Sequence, residues 1–169
     1  KGNTVTILKG NAEFKTSKEI TVGGDTVSAK YFIVATGSRP IEIPGFAFDE
    51  KDICSSTGAL AFDTIPKSVA VIGGGYIGLE ISSYLRKLGT EVTVIEANTS
   101  LLAGVVDPDC AQVVTRKLEK SGVKVMYGAK AKGQKKLSNG YEVSYEVNGN
   151  VESKKKKKIL VTVGRRPNG

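Results

Sequence analysis

Gly73-Gly74-Gly75-Tyr76-Ile77-Gly78 places glycines at the spacing G-x-G-x-x-G. A loop of this kind can hold a phosphate. Bare backbone approaches the anion closely, and the N–H groups at a helix start carry partial positive charge toward it. The spacing alone is weak, so its surroundings decide. Residues 69–72 (Val-Ala-Val-Ile) read as a buried strand before it. From Tyr76, apolar residues at 77, 81, 84, 85 and 88 repeat with helical period up to Gly89. Residues 91–96 (Glu-Val-Thr-Val-Ile-Glu) then read as the next strand. In a strand–turn–helix–strand unit, Gly73 permits the tight turn, Gly75 lets the backbone meet a pyrophosphate, and Gly78 lets helix and strand pack closely. Gly74, Tyr76 and Ile77 complete the loop.

The second strand ends in Glu96, 23 residues after Gly73. A carboxylate there accepts hydrogen bonds from ribose hydroxyls and repels a 2′-phosphate. No arginine follows in residues 97–100 to neutralise such a phosphate. The combination points to NAD rather than NADP.

Other chemistries are poorly served. The chain has no histidine, so the commonest general base and zinc ligand are missing, and no metal site is expected. Cys54 and Cys110 form no C-x-x-C pair and read as structural thiols, with a disulfide between them left open.

The elements that would position the loop form an α/β pattern. Residues 5–8, 19–22, 26–29 and 31–35 read as strands, the last as a buried one, with a hairpin turn at Gly23-Gly24-Asp25. Residues 41–66 read as a connector with a short helical turn at 56–61. Asp107-Pro108-Asp109 opens a second helix to about Lys120, and residues 123–127 give a third parallel strand. Asn139-Gly140 and Asn148-Gly149 then mark the turns of a β-meander, and residues 159–163 return as a last buried strand. A meander followed by an apolar strand thus occurs twice. It ends once in Ala35-Thr36-Gly37-Ser38-Arg39-Pro40 and once in Val163-Gly164-Arg165-Arg166-Pro167. The layout suggests two related domains.

Of the 169 residues, 40% are apolar and 25% charged, as in soluble globular proteins. No apolar run reaches the roughly 20 residues that span a bilayer, and residues 1–20 show no signal-peptide pattern, so neither membrane insertion nor secretion is expected. The chain begins at Lys1 rather than methionine, which points to an excised or processed segment. The formal charge is +8, but residues 154–158 are five consecutive lysines, and removing those five charges leaves +3. The run reads as a solvated strand entry or edge. No aromatic residues interleave it, and nucleic-acid binding is not expected.

Four motifs in order, Ala35 to Pro40, Ser55-Ser56-Thr57-Gly58-Ala59-Leu60, Gly73 to Glu80 and Gly164-Arg165-Arg166-Pro167-Asn168, resemble the pyridine nucleotide–disulfide oxidoreductases. Within that family they are most similar to the dihydrolipoamide dehydrogenase branch. The resemblance implies a Rossmann-like FAD/NAD(P)-binding fold, a parallel sheet with a β-meander, plus part of a second similar domain. Residues 1–62 would be the later part of an FAD domain, residues 63–164 an NAD domain, and residues 165–169 the start of the return. Thr36, Gly37 and Ser38 would lie near FAD. Gly73 to Gly78, Gly164 and the backbone at Ala131 would contact NAD. Glu80 would stand at the nicotinamide–flavin junction, and Tyr76 would cover the empty nicotinamide pocket.

The resemblance also implies a parent that oxidises dihydrolipoamide, passing electrons through a redox disulfide and FAD to NAD. That parent would be a homodimer within a 2-oxo acid dehydrogenase complex, in the cytoplasm or mitochondrial matrix. Its C-x-x-x-x-C pair, histidine–glutamate pair and first FAD glycine motif are not in these residues, so this chain alone is expected to be inactive and monomeric. Related flavoproteins (NADH oxidase, transhydrogenase, mercuric reductase) and a non-catalytic dinucleotide-binding module remain alternatives.

Overall fold

The computed structural model describes residues 4–169, which divide into two compact units, the first ending at Gly37 and the second covering 38–169. In the first unit β1 (Ala12–Thr16), β2 (Glu19–Val22) and β3 (Asp25–Ser28) form an antiparallel sheet in that order. The hairpin expected at Gly23-Gly24 joins β2 to β3, with φ of 60° and 99° at the two glycines. Two other expectations fail here. Residues 5–8 are not a strand; the strand before the hairpin is β1. Residues 31–35 are not a buried strand either, since Tyr31 is 88% and Ile33 94% exposed. A strand needs a neighbour to accept and donate its backbone hydrogen bonds, and no described strand pairs with either segment.

The second unit runs β4 (Ser38–Pro40), β5 (Ile53–Cys54), α1 (Ser56–Leu60), β6 (Ser68–Ile72), α2 (Tyr76–Lys87), β7 (Glu91–Ile95), α3 (Pro108–Lys120) and β8 (Lys124–Met126). It continues with β9 (Lys130–Leu137), β10 (Gly140–Val147), β11 (Asn150–Lys156), β12 (Lys158–Val161) and β13 (Arg165–Pro167). Its centre is a parallel sheet in the order β5-β12-β6-β7-β8. The β-α-β unit expected around the glycine loop is therefore β6-α2-β7, and α3 leads into the third parallel strand β8.

Side-chain alternation splits the core into two layers. Val69, Val71, Val92, Val94 and Leu160 face Leu79, Ile81 and Leu85 of α2 and Leu118 of α3. Ala70, Ile72, Ile159 and Val161 face Tyr141, Val143 and Tyr145 of the meander β9-β10-β11. With both faces covered, β6 and β12 read as continuous apolar runs rather than alternating ones. The fold is α/β, with the expected meander.

Two details differ from the periodic reading. Leu88 caps α2 and is 52% exposed, because the helix ends at Lys87, one residue before it. The lysine run is not uniformly solvated. Lys154 and Lys155 lie exposed on edge strand β11, but Lys156 is buried and pairs with Glu91 at 3.1 Å. Lys158 pairs with Asp52 at 3.1 Å and stands over the Phe62 ring at 5.1 Å. Lys156 ends β11 and Lys158 begins β12, and at this crossing between strands each stands beside a carboxylate from another segment.

Among the described residues no helix is long and apolar enough to cross a membrane.

Candidate functional site

The glycine turn follows β6, and its polar groups are answered by three separate segments. Gly73, at φ 100°, donates its N–H to Ile95 O at 3.0 Å. Gly74 N–H donates to Glu96 Oε2 at 2.6 Å, and Gly74 O accepts from Leu102 N–H at 3.0 Å. Gly75 is the N-cap of α2 and supplies no side-chain cap. The first intrahelical donor is Leu79 N–H, onto Gly75 O at 3.0 Å. The N–H groups of Tyr76, Ile77 and Gly78 therefore precede the helix's own ladder, as at any helix start.

Adding a Cβ to each glycine separates the demands of packing from everything else. On Gly73 it would lie 2.7 Å from Thr162 O. On Gly74 it would lie 2.5 Å from Leu101 Cδ2. On Gly78 it would strike Gly73 O and come within 2.5 Å of Thr162 Oγ1. On Gly75 it would meet nothing within 4 Å. Gly75 also has φ −78°, which any residue adopts. Gly73 and Gly78 are thus required by backbone atoms of the protein, Gly74 meets only side-chain atoms, and Gly75 meets nothing.

Glu96 follows β7 and is 7% exposed. Besides the bond from Gly74, its Oε1 accepts Asn98 N–H at 2.7 Å. Its backbone bonds to β8 and beyond, N–H to Met126 O at 2.9 Å and O from Ala129 N–H at 2.8 Å. A carboxylate offers about four acceptor positions, so two backbone donors leave capacity for a ligand.

These groups line one cleft of about 510 Å³. Of the residues singled out in the sequence it gathers Gly73, Gly74, Gly75, Tyr76, Ile77, Glu96, Ala131 and Gly164. Gly78 sits beneath it as a packing position. Glu80 does not line it; it is exposed on α2, and no ion pair to it occurs among the described residues. Thr36 and Gly37 are exposed in the first unit, Gly37 at φ 75°. Ser38 is tied to the end of the chain: Arg165 donates from Nε to Ser38 Oγ at 2.8 Å and from Nη2 to Ser38 O at 2.6 Å. The two similar strand-end motifs meet here, because β4 and β13 pair antiparallel.

Sequence reasoning passed over several residues. Thr162 shares its single hydroxyl hydrogen between Gly73 O at 3.1 Å and Ile72 O at 3.2 Å. Its signal was present, a lone polar residue in the apolar run 159–163. Leu102 adopts φ 55° to bond Gly74, which no pattern announces. Lys130 lines the cleft from β9. Glu50 explains Gly58: its Oε2 accepts the N–H groups of Ser55 at 3.1 Å and Gly58 at 2.8 Å, and a Cβ on Gly58 would strike that carboxylate.

Neither cysteine is in a disulfide. Burial pushes the Cys54 thiol up to about 12, with Lys158 opposing that rise. Burial also acts to raise Asp49. Backbone N–H groups of Lys51, Ile53 and Asp52, together with Lys158, overcome it and hold the carboxyl below its ordinary value.

A family model described as pyridine nucleotide-disulphide oxidoreductase matches residues 1–169. The dihydrolipoyl dehydrogenase of Geobacillus stearothermophilus is 44% identical over 99% of this chain and 36% of its own length. That of Thermus scotoductus is 46% identical, again over 99% of this chain and 36% of its own. Among solved structures, the HOCl-induced flavoprotein disulfide reductase RclA from Escherichia coli is similar with TM-score 0.76 and 25% identity, covering 96% of this chain and 37% of that one. The chain spans about a third of the length of the curated relatives it matches.

Proposed function

From the chain's place in the pyridine nucleotide-disulphide oxidoreductase family, to which it belongs, we propose that residues 63–164 are its NAD-binding domain. Residues 1–62 are then the later part of an FAD-binding domain, and 165–169 the return into it. The observation that carries this reading is Gly75. Its missing side chain answers to no atom of the protein, yet it borders the cleft at the start of α2. A ligand approaching the backbone there accounts for it.

In this reading the chain's own groups divide the cofactor among them. The N–H groups at the start of α2 hold the pyrophosphate. Glu96, fixed by its two backbone bonds, accepts from the adenosine ribose and cannot swing away from a 2′-phosphate. The backbone at Ala131 meets adenine. Gly164 and Tyr76 border the nicotinamide end, with Tyr76 covering that pocket when it is empty. Glu80 stands at the nicotinamide–flavin junction, and Thr36, Gly37 and Ser38 near FAD. Bound NAD supplies the hydride-accepting nicotinamide, and FAD the redox relay to it.

The whole protein would be a dihydrolipoamide dehydrogenase of the cytoplasm or mitochondrial matrix. It would be a homodimer within a 2-oxo acid dehydrogenase complex. Identities of 44–46% to dihydrolipoyl dehydrogenases, against 25% to RclA, favour that branch over other flavoproteins of the family.

Titrating the chain with NADH and NADPH, followed by nucleotide fluorescence, tests the reading. NADH is expected to bind at least about tenfold more tightly than NADPH, the order of one lost favourable contact. No NADH binding at millimolar concentration would overturn the assignment. Sustained lipoamide reduction by this chain with added FAD and NADH would overturn the division of labour.

A further inference from the structure

Whether the α2 N–H groups face an anion depends on how the peptide planes just before them are held. Three of the four polar groups on Gly73 and Gly74 have backbone or carboxylate partners within the β6-α2-β7 unit and the loop after it. The fourth, Gly73 O, is met by the Thr162 hydroxyl at 3.1 Å. Thr162 comes from outside that unit. It follows β12, the strand beside β6, and its own N–H donates to Ile72 O at 2.8 Å. It also abuts both packing glycines, since added Cβ atoms would lie 2.7 Å from its carbonyl at Gly73 and 2.5 Å from its hydroxyl at Gly78. The hydroxyl therefore fills the space between turn and helix that Gly78 leaves.

We propose that Thr162 is a positioning residue for the dinucleotide pyrophosphate. It holds the Gly73 carbonyl toward β12 and so keeps that carbonyl turned away from the cleft, leaving the N–H groups at the start of α2 to meet the anion. The inference rests on the cleft being a dinucleotide site and adds a residue that the glycine spacing does not contain. The reason is electrostatic. The Gly73 carbonyl and the Gly74 N–H share one peptide plane, held at the N–H by Glu96 at 2.6 Å and at the carbonyl by Thr162 at 3.1 Å. With the second bond lost, the plane is held at one end only and can tilt its partial negative charge toward the anion, which opposes binding.

The test compares the parent chain with Thr162→Val, Thr162→Ala and Thr162→Ser. The ligands are NADH, ADP-ribose and adenosine, followed by fluorescence or by NMR shifts. Valine keeps the shape and removes the hydroxyl, and serine keeps the hydroxyl. Losing one hydrogen bond that orders the site predicts about tenfold weaker binding of NADH and ADP-ribose in both the valine and alanine variants. Adenosine, which lacks phosphate, and the serine variant with all three ligands should stay within about twofold of the parent. Unchanged NADH binding in the valine and alanine variants would overturn the proposal. So would an equal loss for all three ligands together with a lowered melting temperature, the mark of a merely structural role. A parent chain that binds no NADH would instead overturn the dinucleotide reading itself, before any substitution is considered.

Discussion

Gly75 and Gly78 belong to one motif, yet alanine at each should have opposite consequences. At Gly75 the new methyl meets no protein atom within 4 Å, and φ −78° suits alanine. Restricting the unfolded chain stabilises by about 0.4–1 kcal/mol. Losing glycine's advantage over alanine at an N-cap costs about 0.5–1 kcal/mol. The two nearly cancel. For a chain of 169 residues, 1 kcal/mol moves Tm by about 2–4 °C, so Gly75→Ala should melt within about 3 °C of the parent. At Gly78 the methyl strikes Gly73 O and crowds Thr162 Oγ1. A backbone oxygen cannot rotate away, so the cost sits near the top of the about 1–3 kcal/mol overpacking range. Helix propensity returns about 1 kcal/mol. The net loss of about 2 kcal/mol lowers Tm by roughly 4–8 °C.

Binding should reverse the order of interest. The Gly75 methyl would stand between the backbone and an approaching pyrophosphate. Overpacking of about 1–3 kcal/mol there corresponds to roughly 5- to 150-fold weaker NADH binding. Thermal melts followed by circular dichroism, paired with NADH fluorescence titrations, read both quantities on the same samples. A Gly75→Ala chain that melts like the parent but binds NADH roughly 5- to 150-fold more weakly supports the reasoning. If that chain binds NADH as tightly as the parent, no ligand approaches the backbone at Gly75 and the reading of the cleft fails.

The remaining predictions concern groups away from the cleft. A thiol reagent such as dithionitrobenzoate should titrate the exposed Cys110 in the native chain and reach the buried Cys54, with its thiol pushed to about 12, only in denaturant. Two fast-reacting thiols in native buffer would contradict the packing around β5. Hydrogen bonding from Lys156 and its charge hold the Glu91 carboxyl below its ordinary value, against opposing burial and with help from Lys124. A depressed carboxyl contributes stability that is present above its unfolded value and is lost as pH falls through the folded one. Melts from pH 6 to 3 should therefore show the parent losing more stability than Glu91→Gln. With the Glu91 side chain 54% exposed, the difference should be small, about 0.5 kcal/mol. Equal losses in the two chains would show that the pair contributes nothing.

The site was legible where its physics is local in sequence. A glycine turn, the helix after it and a strand-end carboxylate lie within one β-α-β unit, so their spacing encodes their meeting. The structure accordingly gathers Gly73 to Ile77 and Glu96 in one cleft. What the sequence hid are contacts between distant segments. Thr162 reaches Gly73 from 89 positions away, and only the strand order β12-β6 makes them neighbours. Leu102 bonds Gly74 through a backbone angle that leucine rarely adopts, so no propensity points to it. The lysine run misled for a related reason. Composition sees five like charges, whereas Lys156 and Lys158 are distinguished from their neighbours by the carboxylates of Glu91 and Asp52, far off in the chain.

The two apolar runs show most directly what sequence pattern can and cannot carry. Residues 31–35 and 159–163 share apolar character, a preceding meander and a following G-x-R-P turn. Both ask for burial on two faces. The second obtains it: Ile159 lies in register between Ile53 and Ala70, and Ile159 and Leu160 are fully buried. The first has no described strand beside it, and its isoleucine is 94% exposed. Burying one such side chain is worth about 1.5–3 kcal/mol, while ordering its backbone costs about 1–2 kcal/mol. The balance favours a strand only when flanking strands also satisfy its N–H and C=O groups. Hydrophobic pattern therefore states which surface a segment must cover, and the partner strands decide whether it does. The glycine turn is well formed in this chain for the same reason. β12 and β7 flank β6 on either side, and those neighbours deliver Thr162 and Glu96 to it.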